Sequence, residues 1–97
     1  MRKKATLVID EKITQTDGAV IQIVVWDLPV PLKGSRHRYK YRLYFGKDGV
    51  CLVRLDNEQG KGDHIHVNGM ESPYYFTNIS ELLRDFKEAI QKSEVQP

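Results

Sequence analysis

A single cysteine, Cys51, is all the sulfur chemistry this chain has for cross-linking, so an internal disulfide and a thiolate zinc cluster are both excluded and a reducing cytoplasm is the expected location. Long apolar runs are missing as well. Nowhere do the ~20 uncharged apolar residues of a membrane-spanning helix occur together. The basic start at Met1–Lys4 has the character of a leader's charged region, but Asp10, Glu11 and Lys12 break the apolar stretch behind it, so neither an export signal nor a membrane partner is expected. No charge of one sign prevails: 15 Lys and Arg against 13 Asp and Glu leave a net charge of +2, too little by itself to imply nucleic-acid binding. Repeats and low-complexity tracts are absent too. With 97 residues, 40% of them hydrophobic, the chain can build one modest core, and a single domain over residues 1–97 is expected.

What the sequence does contain is mostly strand pattern. Residues 5–14 alternate loosely, with Ala5, Leu7, Ile9 and Ile13 on one side; Asp17-Gly18 marks a turn, and residues 19–26 form a β-branched run with two largely apolar faces. Pro29, Pro31 and Gly34 predict a loop over residues 28–35, free to move against the sheet. Residues 37–45 and 50–55 read as a hairpin closed by Gly46-Lys47-Asp48-Gly49. Shorter strands follow at residues 64–67, before the turn at Asn68-Gly69, and at residues 74–76. From Ile79 to about Ile90 the apolar positions take up the helical period, Asn78 and Glu81 have capping-box spacing, and Gln91 to Pro97 reads as a polar tail. The fold class expected is α+β: a mainly antiparallel sheet of about five strands with a C-terminal helix packed on one face.

Two segments carry the candidate chemistry. In the third strand, alternation puts Arg36, Arg38, Lys40 and Arg42 on one face and His37, Tyr39, Tyr41, Leu43 and Phe45 on the other. Cations two residues apart stand roughly 6–7 Å from one another, close to the phosphate spacing of an extended single strand. Tyr44 continues the cationic side and Arg54 can join it from the next strand, adding a surface on which a base could stack. Isolated Lys and Arg usually serve solubility, but four cations repelling one another without an intervening acid favour a polyanion as ligand; an acidic protein would satisfy the same electrostatics. The second segment runs from Asp56 to His66. Gly60 and Gly62 would let the backbone approach a ligand, Lys61 adds a cation, and His64 and His66 share a strand face. Cleavage of RNA by transesterification needs a group to take the 2′-hydroxyl proton, a group to protonate the leaving oxygen, and cations for the charged phosphorus, all of which are represented. Taken alone, a His-x-His pair is usually a surface feature, and the flanking Asp56, Lys61 and Asp63 are what raise its interest. His64, His66 and Glu71 also reproduce the core of a cupin metal motif, but its framing glycines and its second half are missing, and no metal or cofactor is expected.

Three blocks, Arg36 to Gly49 with HRYKYRLYFGKDG at its heart, then RLDNEQGKGDHIH, then PYYFTNISELLRDF, are similar in order and spacing to the TumE family, and the opening strand pair fits as well. This resemblance implies the toxin half of a type II toxin–antitoxin pair, with a helix-turn-helix antitoxin as partner and suspected endoribonuclease activity. The positions carried over from the family pattern are Arg38, Tyr39, Tyr41, Asp56, Asn57, Lys61, Asp63, His64 and His66. The expected roles are Lys40 and Arg42 holding phosphates, His64 and His66 exchanging protons, Lys61 stabilising the transition state, and Asp56 or Asp63 orienting a histidine. A noncatalytic RNA-binding or antitoxin-binding module and a metal-dependent hydrolase stand as alternatives. Nothing in the sequence fixes the oligomeric state.

Overall fold

The computed structural model describes residues 4–94. Six strands make one sheet in which each pairs antiparallel with its sequence neighbours: β1 (Thr6–Thr14), β2 (Val20–Asp27), β3 (Tyr39–Lys47), β4 (Val50–Glu58), β5 (Gly62–Val67) and β6 (Met70–Pro73). A single helix, α1 (Ile79–Glu94), lies across one face, chiefly over β4. The sheet has six strands where about five were expected. The extra pairing comes from the Asn68-Gly69 turn, where both residues have positive φ (50° and 85°), the conformation of a two-residue hairpin loop that sends the chain straight back along β5. The returning strand ends at Pro73, so residues 74–76, expected as a strand, instead carry the chain over to the helix side. Asp48 and Gly49 (φ 53° and 76°) close the β3–β4 hairpin in the same way.

Burial separates the two faces. On the helix side Val25, Tyr41, Leu43, Phe45, Val53 and Leu55 are buried beneath Leu82, Phe86 and Ala89 of α1. Each such side chain taken out of water contributes about 1.5–3 kcal/mol, which is why the alternation of β3 and the helical period of α1 decide the fold. Asn78 caps the helix, its Oδ1 accepting the Glu81 N–H at 2.8 Å. The helix continues four residues past Ile90, through a segment expected as tail, because Ser93 is buried and its hydroxyl donates back to the Ile90 carbonyl at 2.7 Å. Residues 1–3 and 95–97, the basic start and the end of that tail, lie outside the described residues.

A bulge between Leu7 and Ile9 corrects the reading of β1: Leu7 pairs with Trp26 on the open face, whereas Ile9 pairs with Val25 on the helix face. The β2–β3 loop is tied down rather than loose. The Gly60 N–H donates to the Lys33 carbonyl at 2.9 Å, and a Cβ on Gly34 would come within 3.8 Å of the Gly60 Cα, so the loop rests on the β4–β5 turn.

Candidate active-site cleft

Cross-strand register fixes which side chains share the face that α1 leaves open. Arg42 of β3 pairs with Asp56 of β4, and Asp56 with His64 of β5; one step along, Tyr44 pairs with Arg54, Arg54 with His66, and His66 with Glu71 of β6. Two parallel rows therefore run from the cationic strand to the paired histidines. They end in a cleft of about 430 Å³ lined by Arg54, Asp56, His64, His66 and Glu71, with Glu58 and Lys61 from the β4–β5 turn at its edge.

Hydrogen bonds give the two imidazoles different states. His64 Nε2 lies 2.8 Å from the Lys61 carbonyl oxygen, which can only accept, so Nε2 carries the proton and Nδ1 keeps a lone pair. His66 Nε2 lies 2.8 Å from Arg54 Nη2, which can only donate, so here Nε2 carries the lone pair and it is engaged. His64 is thus equipped to take a proton and His66 is held by its neighbour. Glu71 Oε2 stands between them, 3.6 Å from His64 Nδ1 and 3.4 Å from His66 Nε2. Arg54 Nε approaches Asp56 Oδ2 to 3.1 Å, yet it is a buried donor without a hydrogen bond: the approach is close enough for ion pairing and poorly aligned for donation. Lys61 reaches Glu58 at 3.5 Å, both well exposed.

Other sequence candidates fall elsewhere. β3 begins at Tyr39, so Arg36 and Arg38 precede it and only Lys40 and Arg42 stand in its ladder; Arg38 turns to Asp27 at 3.5 Å. The expected row of four cations is thereby halved. Asp63 pairs with Asn57, whose side chain is buried on the helix face, and so lies through the sheet from His64 and His66. There it accepts hydrogen bonds from the Tyr41 hydroxyl at 2.6 Å and from His37 Nε2 at 2.8 Å. His37 Nδ1 accepts the Tyr39 N–H at 3.1 Å, and its ring packs 4.0 Å from that of Phe76. Burial, and then the bond to Asp63, pushes the Tyr41 phenol far above its usual value. The histidine that Asp63 orients is therefore His37. Asn57 ties the same corner together, donating to the Tyr39 carbonyl at 2.7 Å and accepting the Tyr41 N–H at 2.9 Å. Tyr74 donates to Asp85 at 2.5 Å beside the core, while Tyr75 is 81% exposed. Tyr44 lies lengthwise along its strand: a Cβ on Gly46 would collide with its hydroxyl, and the Arg42 guanidinium sits 5.3 Å from its ring centre. Sequence reasoning passed over Glu58 and gave Glu71 only a metal role; the two-residue loop at Asn68-Gly69 already sets Glu71 opposite His66.

Among the described residues no group of three or more His, Cys, Asp and Glu is arranged to hold a metal ion. At His66 the ring nitrogen nearest Glu71, Nε2, already accepts from a permanently charged guanidinium. No helix is long and apolar enough to cross a membrane among the described residues.

The model of the family described as Toxin TumE matches residues 1–94. The chain belongs to the TumE toxin family. Membership makes it a toxin of a toxin–antitoxin system, with an antitoxin as its partner. No curated protein and no solved structure matches the chain.

Proposed function

We propose that this TumE toxin acts on RNA, holding a phosphodiester in the cleft on the open face and cutting it without a metal, and that its antitoxin is a helix-turn-helix protein. The reading is carried by one observation: a histidine with a free ring nitrogen shares a cleft with cationic donors, one of which, Arg54 Nε, is buried beside Asp56 without an aligned hydrogen bond. His64 Nδ1 takes the proton of the 2′-hydroxyl, whose oxygen bonds to phosphorus as the bond to the 5′-oxygen breaks. The Lys61 ammonium, exposed at the mouth of the cleft, returns a proton to the leaving oxygen. Arg42 and Arg54 neutralise the charge that builds on the phosphoryl oxygens. His66 acts by holding Arg54. The form of the antitoxin rests on the family resemblance alone.

A noncatalytic, RNA-binding or antitoxin-binding reading draws support from the acids of the cleft, each of which already lies beside a partner: Asp56 with Arg54, Glu58 with Lys61, Glu71 with both histidines. Incubating the purified protein with RNA in EDTA separates the two readings. Cleavage that vanishes in His64→Ala supports the nuclease. Intact RNA together with salt-sensitive binding that survives His64→Ala and weakens in Arg42→Ala supports the binding module.

A further inference from the structure

The open face carries one more large aromatic group, which takes no part in the cleft. Trp26 is the chain's only tryptophan. Its neighbour Val25 is fully buried on the helix side, so alternation turns the indole to the other side, where it pairs with Lys40 on β3 and with Leu7 across the bulge of β1. It is half-buried at the sheet surface, and no helix among the described residues covers that face. A tryptophan partly in water on the open face, paired with a lysine, offers an indole face that a ligand can reach.

The geometry points to Trp26 as a base-stacking platform for single-stranded RNA, at the far end of a track that passes Lys40 and Arg42 and enters the histidine cleft. The inference rests on the RNA reading of that cleft and extends it to a second contact. Two features favour a single strand over an acidic protein, and a third favours Trp26 as its aromatic contact. Lys40 and Arg42 are two residues apart on one strand face, about 7 Å, the step of an extended nucleotide backbone. An indole beside such cations offers what every base has, a π-face, and the combination of stacking aromatics with backbone-tracking cations is how sheet surfaces bind single strands without reading sequence. Tyr44, the aromatic side chain expected from the sequence to stack a base, is already engaged by the Arg42 guanidinium and lies along Gly46, which leaves the indole as the better available surface. Row by row, Trp26–Lys40, then Arg42–Asp56–His64, the track crosses β2 to β5 diagonally, so a strand bound along it meets the indole about two nucleotides before the cleft.

Because the chain has one tryptophan, its fluorescence reports on this site alone. The probe is a mixed-sequence RNA of about 12 nucleotides, in the size range such surfaces cover, with 2′-O-methyl sugars that block transesterification and a terminal fluorescein for anisotropy. The expected result is binding by anisotropy with quenching of tryptophan emission. Affinity should fall about fivefold to 150-fold in Trp26→Ala, the worth of one stacked base, and largely recover in Trp26→Phe, which also controls for folding. Binding without quenching, with Trp26→Ala within about twofold of the parent, overturns the stacking site and leaves the RNA reading intact. Absence of binding removes both. Quenching by an oligoglutamate peptide that competes with the RNA assigns this face to an acidic protein and overturns the inference.

Discussion

His37 and His64 stand on opposite faces of the same sheet, and their surroundings differ in kind. On the helix face His37 is enclosed: Asp63 accepts from one ring nitrogen, the Tyr39 amide donates to the other, and Phe76 packs on the ring. Every polar atom there has its partner, and the cluster sews the end of the β2–β3 loop to β5. On the open face His64 has one nitrogen committed and one free, beside a carboxylate at 3.6 Å and a buried arginine donor that hydrogen-bonds to nothing. A satisfied buried network stabilises the fold, whereas unsatisfied groups around a cleft are available to a ligand. Residue type alone does not separate these cases, since Asp, His and Tyr or Arg occur in both.

The contrast can be broken by experiment. The largest effect is expected at His64: replacement by alanine should lower the rate of RNA cleavage about 10²–10⁴-fold, the usual worth of a general base, while shifting the urea midpoint little. His66→Ala should cost less than His64→Ala in the same assay; the reverse order would contradict the assignment of the free nitrogen. Asp63→Ala should do the opposite of His64→Ala, destabilising the protein by about 3 kcal/mol in urea unfolding because it strands two polar side chains inside the structure. A stable Asp63→Ala protein that had lost only cleavage would place Asp63 in the chemistry after all.

A smaller effect sharpens the picture of the helix face. The folded chain keeps the Tyr41 proton, and to a lesser degree that of Tyr74, where the unfolded chain releases them above about pH 10. That contribution to stability is therefore complete below pH ~10 and declines as the pH rises further. Tyr41→Phe should flatten the alkaline decline seen in thermal melts, and an unchanged slope would count against the burial that, with the bond to Asp63, holds the Tyr41 proton. The smallest change expected is Asn78→Ala, about 1 kcal/mol from loss of the helix cap and without effect on RNA, read by the same melts.

The pattern of the helix and the alternation of β3 were legible because both are set by local periodicity and by burial. The helix start followed from Asn78 and Glu81, and the closeness of Arg42 to the histidines followed from strand parity once the hairpins were placed. The side of the sheet that Asp63 takes is hidden in the sequence for an equally physical reason. Asp63 adjoins His64 in sequence, and adjacent residues of a strand point to opposite faces, so the neighbour that looked like a partner was the residue least able to be one. Arg36 and Arg38 fall outside the ladder because β3 starts at Tyr39, after His37 bends toward Asp63. The bulge at Leu7–Ile9 left no signature in the composition of β1, and the bond from Gly60 to Lys33 that helps hold the loop is a backbone contact between distant segments.

Since every strand of this sheet lies beside those that precede and follow it in the chain, with no crossover anywhere in β1–β6, the contacts that build it join segments close together in sequence. Little loop entropy must be surrendered before each new hairpin is rewarded, which favours rapid acquisition of the native state for a β-rich molecule. A protein assembled in this manner reaches its folded form soon after synthesis, so both faces of the sheet are complete early in the life of the chain.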